Sequence, residues 1–366
     1  MAALGGRLLG IFRTRAALGL RPVTAPVVVF IPAGFVLGPF GTGLISQAAL
    51  RHLDVVISIA LATLGVLIGI AVGTERGSVR RLLGASSLEA LITISLVGGS
   101  IWVLLGIWRI PLTLSYGLTA LALGICASAS AAPSVTAADE HARQVAARVA
   151  DLDDVLPILV GAGVIALVAP SVQEAPLRTV LPAGAGLAIA ASGWLLFERA
   201  EGAERNVFVL GTLALLGGCA AYAGTSPLLA GLAAGWFWAR TSGHADRVVA
   251  RELAKVQHPL VVLLLIAAGA ALEPSVAGVW LFAPYVVFRV AGKLIGGWAA
   301  SKVAPGIAPS DLGAYLIPPG VIGIAFALNV QQAASGGADA LLFAAASGAI
   351  ASELLALVVT PVPQPA

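Results

Sequence analysis

Long apolar segments follow one another along this chain with only short polar stretches between them, and nothing else constrains its fold as tightly. A helix needs about 20 apolar residues to cross a bilayer core roughly 30 Å thick. Inside lipid, a backbone satisfies its polar groups only as a helix or a closed barrel. Twelve such segments run approximately over 23–40, 54–73, 87–107, 111–132, 145–169, 180–197, 206–223, 226–239, 257–272, 277–300, 311–331 and 338–360. They predict an all-α polytopic membrane protein of about 12 transmembrane helices, with no soluble domain. Composition agrees, because only 11% of the 366 residues are charged, against about 25% in a typical soluble domain. Cys126 and Cys219 both fall inside apolar segments and form neither a disulfide framework nor a CxxC metal site. Residues 1–22 scatter Arg7, Arg13, Arg15 and Arg21 among apolar residues and lack the compact apolar core of a signal peptide. They predict an amphipathic lead-in at the membrane surface.

Basic residues orient the spans, since short cytoplasmic loops collect Lys and Arg. With twelve spans, 16 of the 21 basic residues fall on the side of the N-terminus, and Arg51, Arg109 and Arg178 fall on the other. The remaining two, Arg289 and Lys293, lie within span 10. This asymmetry predicts a multi-pass protein of the cell (inner) membrane with both termini cytoplasmic. The net charge of +3 sits in loops that should be basic and calls for no nucleic-acid partner. Only six residues follow span 12, so regulation is expected to act through the membrane part or its loops.

Three features inside the spans carry chemistry. The first is "VADLDDVLPILV", where Asp153 and Asp154 precede a run free of charge from Val155 to Ala169. Ionised carboxylates in such a place are costly and mark function. Two readings stand side by side. A helix starting near Leu152 would put the pair in its first turn, where the dipole favours carboxylates. A helix starting near Gln144 would put it close to mid-membrane depth. The second feature is "FRVAGKLIGGW". Arg289 and Lys293 are four residues apart on one helical face, and two stacked cations repel unless a carboxylate lies near. Of three lysines against eighteen arginines, one is spent here, and Lys, unlike Arg, can give up its proton in a dry site.

The third feature is a pair of interruptions. Span 4 holds "CASASAAPSV", with Ser128, Ser130 and Pro133, and span 11 holds "IPPGVIG", with Pro318, Pro319 and Gly320. Proline removes a backbone donor and opens a helix, and unwound backbone at membrane depth is tolerated only in a cavity or packed in protein. Spans 4 and 11 are seven apart, as are 3 and 10, and 5 and 12. An odd shift inverts the second copy across the membrane. Matched broken helices in two halves are where inverted-repeat transporters hold their cargo. The expected fold therefore has inverted repeats with two crossed broken helices.

These residues resemble a family. "PVVVFIPAGFVLGPFGTGLI", "LATLGVLIGIAVGTERGSVRR", "DLDDVLPILV", "VQHPLVVLLLIAAGAALEPS" with "VAGKLIGGWAAS", and "LIPPGVIGIAFAL" are similar, in order and spacing, to segments of sodium/proton antiporters. The family is the monovalent cation:proton antiporter superfamily, in its Asp-Asp branch. The resemblance implies that Asp154 is the main ion and proton carboxylate, and that Asp153 is its neighbour, paired with Lys293 when no cation is bound. Arg289 is a further charge partner; neither it nor Glu353 has a transferable role. It implies a moving core over about 87–169 and 277–360 against a scaffold over about 23–73 and 180–272, with homodimer contact through the scaffold. Some members carry Thr-Asp in the first crossing; here that stretch has no carboxylate.

The expected activity is exchange of a monovalent cation, Na⁺ first, for protons, without a cofactor and without enzymatic chemistry. A carboxylate pair in a partly dry cavity can hold either a proton or a cation, and that competition couples the two fluxes. Exchange of two protons per cation would be electrogenic. Rival readings are a K⁺/H⁺ antiporter and a Na⁺-coupled organic-anion carrier on the same fold, since broken-helix N-termini suit anions. An intramembrane aspartyl protease would need two carboxylates on different helices and a Gly-x-Gly-Asp stretch, which the chain lacks. A purely structural membrane protein would not need buried charge.

Overall fold

The structure is a computed structural model that describes residues 26–74, 79–131, 140–168, 174–200, 202–241, 245–305, 307–334 and 337–359. The lead-in over 1–22 and Pro133 lie outside the described residues. Among these residues the chain is helical: α1 (Pro26–Leu37), α2 (Gln47–Thr74), α3 (Val79–Trp108), α4 (Tyr116–Ser128), α5 (Glu140–Asp153), α6 (Val155–Val168), α7 (Ala175–Arg199), α8 (Gly202–Tyr222), α9 (Pro227–Arg240), α10 (Ala245–Ala270), α11 (Val276–Val303), α12 (Leu312–Tyr315), α13 (Val321–Ala333) and α14 (Asp339–Val359). Seven of these, α2, α3, α7, α8, α10, α11 and α14, contain stretches long and apolar enough to cross a membrane. Helices α1, α4 and α13 are apolar but shorter.

Among the described residues each apolar segment overlaps at least one helix, and local chemistry sets several of the ends. Ser115, Ser226 and Ser275 cap α4, α9 and α11, their hydroxyls accepting from Leu118, Leu229 and Gly278 N–H. Pro227 follows Ser226 at the first helical position, where a missing donor costs nothing. Two expectations need correction. Span 5 is not one helix: it breaks at Asp154 between α5 and α6. Pro157 is the cause, because it has no N–H for the Asp153 carbonyl four residues back, and its ring crowds that carbonyl. Among the described residues that helix already runs from Glu140, upstream of both readings of the sequence. The aspartates therefore sit at a break, Asp153 ending one helix and Asp154 leading the next.

Helices pack in two sets. In one, α3 lies along α11 and α4, and α14 lies along α11. In the other, α9 lies along α2 and α7, α8 along α2, and α10 along α1. The α2–α9 contact is the tightest backbone approach. Gly65, Gly69 and Gly73 on α2 lie against the α9 backbone or its Ala239, and Gly231 and Gly235 on α9 lie against the backbone of Ala62, Val66 and Ile70, each set at four-residue spacing. Small residues at that spacing let two membrane helices touch backbone to backbone. A Cβ on Gly231 would overlap the Ala62 carbonyl. Gly231→Val is expected to abolish monodisperse protein in detergent, read by fluorescence-detected size exclusion; an unaltered elution profile would refute this packing.

The outward surface is apolar. Leu177, Val180, Val207, Trp102, Trp280 and Trp298 are all exposed, as expected where lipid takes the place of water. The polar groups have gone inward: Glu89, Asp153, Arg289, Lys293 and Ser352 are fully buried.

Candidate ion-exchange site

The two interruptions meet. Beyond α4 the chain runs extended through Ala129 to Ala131, and before α13 it is extended at Pro319 and Gly320. Ser130 and Pro319 form an antiparallel bridge, the one isolated bridge among the described residues. Ala131 N donates to Pro318 O at 3.0 Å, and Gly320 N donates to Ala129 O at 3.2 Å. The prolines explain why this stretch is not helical, and the pairing explains why it can stay buried: the crossing satisfies backbone groups that two helices have given up. Gly323 permits the close approach, since a Cβ there would overlap the Cys126 carbonyl on α4.

Around this crossing lie six buried ionisable groups. Asp153 and Asp154 come from the α5–α6 break, Arg289 and Lys293 from α11, Glu89 from α3 and Glu353 from α14. Lys293 Nζ is 3.0 Å from Glu89 Oε1 and 3.4 Å from Asp153 Oδ2, and it also donates to the Ser128 carbonyl at the end of α4. Thr93 Oγ1, one turn along α3, donates to Glu89 Oε1 at 2.9 Å. Ser130 stands beside Asp153. One oxygen of each aspartate, Asp153 Oδ1 and Asp154 Oδ1, is buried without a hydrogen-bond partner among the described residues. Asp154 also feels the charges of Asp153, Lys293 and Asp151. Ile158 N donates to the Asp154 carbonyl at 3.1 Å, so this side chain leads the positive end of α6.

Arg289 does something else. It donates from Nη2 to Ala129 O at 3.0 Å and from Nη1 to Ile317 O at 3.1 Å. One guanidinium thus ties both extended stretches to α11, and only a planar fork with several donors can do so. The charged and polar side chains acting on it are Glu353 and Tyr285. Arg289 belongs to the crossing, and the carboxylate beside it, which its spacing from Lys293 called for, is Glu353.

The sequence reading placed Asp153, Asp154, Lys293, Ser128, Ser130, Pro318, Pro319 and Gly320 in four separate spans, and the fold brings them together. It missed Glu89. The signal was a single carboxylate in "SSLEALITISL", near the start of span 3, easily taken for an interfacial residue. It also missed a polar vestibule between the two sets of helices. A cavity of about 560 Å³ is lined there by Arg51, Asp54, Glu273, Gln331, Gln332 and Asp339. Across it, Gln332 Nε2 on α13 donates to Asp54 Oδ1 on α2 at 2.9 Å.

The fold and site define a class: a multi-pass, all-α membrane protein with paired broken helices and charge buried where they meet. A solved structure of that fold is the sodium proton antiporter MjNhaP1 from Methanocaldococcus jannaschii at pH 8, which matches 98% of this chain and 99% of its own with a TM-score of 0.67. The two sequences are 14% identical, so the likeness is one of fold. No protein-family model matches the chain, and no curated protein does.

Proposed function

We propose that this protein is a secondary active antiporter of the monovalent cation:proton antiporter superfamily, in its Asp-Asp branch, exchanging a monovalent cation for protons. The observation that carries this reading is the pair of partnerless oxygens, Asp153 Oδ1 and Asp154 Oδ1, buried at a helix break beside an unwound crossing. Buried polar oxygens without a donor are rare and costly, and these are free to take either a proton or a desolvated alkali cation. Sodium is the favoured cargo and is a substrate, not a resident metal. Exchange of two protons per cation makes transport electrogenic. The protein is no enzyme on this reading, since nothing covalent happens to the cargo.

Alternating access would move α3–α6 and α11–α14 against α1, α2 and α7–α10, a division that follows the two sets of close packing. The Gln332–Asp54 bond joins the two sets at the vestibule and would have to open there. Homodimer contact would use the second set, and both termini would be cytoplasmic.

An organic-anion carrier on this fold is less well served. Both buried cations near the crossing are already engaged, Lys293 by two carboxylates and a carbonyl, Arg289 by two carbonyls. The test is a pH-dye assay on proteoliposomes of purified protein, challenged with NaCl, LiCl, KCl or an organic-anion salt at several pH values. Proton flux is expected with NaCl and weaker flux with KCl. Flux that follows the organic anion and ignores the cation would sink the proposal, and equal or greater flux with KCl would reassign the cargo to K⁺.

A further inference from the structure

We propose that Glu89, on α3, is the standing counter-ion of Lys293, and that it holds the ammonium off the aspartate pair so that a cation can reach Asp153 and Asp154 without displacing it. The proposal deepens the antiport reading and rests on it for the identity of the cargo.

The geometry ranks the two carboxylates around Lys293. Glu89 presents both oxygens, Oε1 at 3.0 Å and Oε2 at 3.2 Å, whereas Asp153 offers one, at 3.4 Å. Glu89 is itself held in place, because Thr93 Oγ1 donates to Oε1 at 2.9 Å. No solvent reaches either partner, so the attraction is little screened and the orientation is fixed by packing.

The helices are built for this contact. Gly292 and Gly296 flank Lys293 on α11, and α3 lies against them: a Cβ on Gly296 would stand 3.0 Å from the Glu89 carbonyl, and one on Gly292 would stand 3.1 Å from Thr93 Cα. The "AGKLIGG" run therefore brings the backbone of α3 near enough for a glutamate to reach the lysine. Both helices lie in the set proposed to move as one body, so the pair travels intact.

Charge bookkeeping gives the consequence. Lys293 with Glu89 is a neutral unit, and Asp153 with Asp154 is left as the exchangeable acid pair. In the arrangement expected from the sequence, with Asp153 as the lysine's partner, an arriving cation must first break an ion pair. Glu89 lowers that competition. It does not touch the cargo and is a positioning residue.

The experiment measures cation-driven proton flux in proteoliposomes for wild type, Glu89→Gln, Glu89→Asp and Glu89→Gln/Lys293→Gln, with thermal unfolding of each protein in detergent. In Glu89→Gln the lysine falls back on Asp153. The cation KM is expected to rise on the order of tenfold, the size of one lost ion-pair competition, with kcat within about twofold. The double variant removes both charges and brings KM back at least halfway; Glu89→Asp lies between. Tm falls by on the order of 5 °C in Glu89→Gln and recovers in the double variant. A KM for Glu89→Gln within twofold of wild type, or a double variant as impaired as the single one, overturns the proposal. So does Tm recovery in Asp153→Asn/Lys293→Gln in place of the Glu89 double. Absence of flux from wild type would instead refute the antiport reading, and the Tm cycle would still decide the pairing.

Discussion

Asp154→Asn is expected to reduce cation-driven proton flux to the level of empty liposomes at every pH while raising the protein's thermal stability. Both halves follow from one placement. Asp154 is buried, leads α6 across the break, and has an oxygen with no hydrogen-bond partner among the described residues. Burial strips an ionised carboxylate there of most of its hydration, and one of its oxygens has no donor among the described residues to offset the loss. Asn fills the same space without charge and removes that burden, so Tm should rise by a few degrees in a scanning fluorescence melt. It can neither release a proton nor neutralise a cation, so exchange stops. Stability gained at the expense of activity is the mark of a group kept for function. Asp153→Asn is the informative companion, because Asp153 has Lys293 at 3.4 Å and so already has a partial partner. It should weaken transport less. Full flux from Asp154→Asn would refute the assignment of the site.

Arg289→Gln is expected to cost roughly 3–5 kcal/mol of stability, the range for stripping one partner from a buried charged network. Three groups lose a partner at once. The carbonyls of Ala129 and Ile317 each lose a charge-assisted donor, and Glu353 loses the cation acting on it. Both carbonyls lie where helical hydrogen bonding has been given up, and the Gly320 N–H that also reaches Ala129 O at 3.2 Å is a neutral donor that makes good only part of the loss. Arg289→Lys should recover only part of the loss, because an ammonium lacks the fork that reaches both strands. Size exclusion and a melt in detergent read the effect, the seven tryptophans providing the signal. Unchanged melting in Arg289→Gln would show that the crossing does not depend on this residue.

These two residues show how differently a sequence exposes its contents. Asp154 stood out because lipid penalises charge so heavily that an adjacent acid pair before a long apolar run has few explanations. Arg289 stood out for the same reason, but its role did not. Its spacing from Lys293 called only for a nearby carboxylate, whereas its donors go to backbone carbonyls 160 and 28 residues away along the chain. Glu89 was harder still. It lies 204 residues from Lys293, and a single glutamate near the start of a span is what an ordinary interfacial helix end also shows. Pro157 was in view beside the aspartates, and the break it causes could have been read from the rule that proline denies a donor to the residue four before it.

By itself the sequence determined that this chain is a multi-pass membrane protein of apolar helices, and that prolines interrupt some of them. Those properties follow from local chemistry: apolar length against bilayer thickness, and prolines that have no N–H to give. Only the tertiary structure decided which charge faces which. Coulomb attraction and hydrogen bonding act over a few ångströms in space and take no account of separation along the chain. The lysine's nearest carboxylate and the arginine's two carbonyls were therefore fixed by glycine-permitted contacts between α3, α4, α11 and α13.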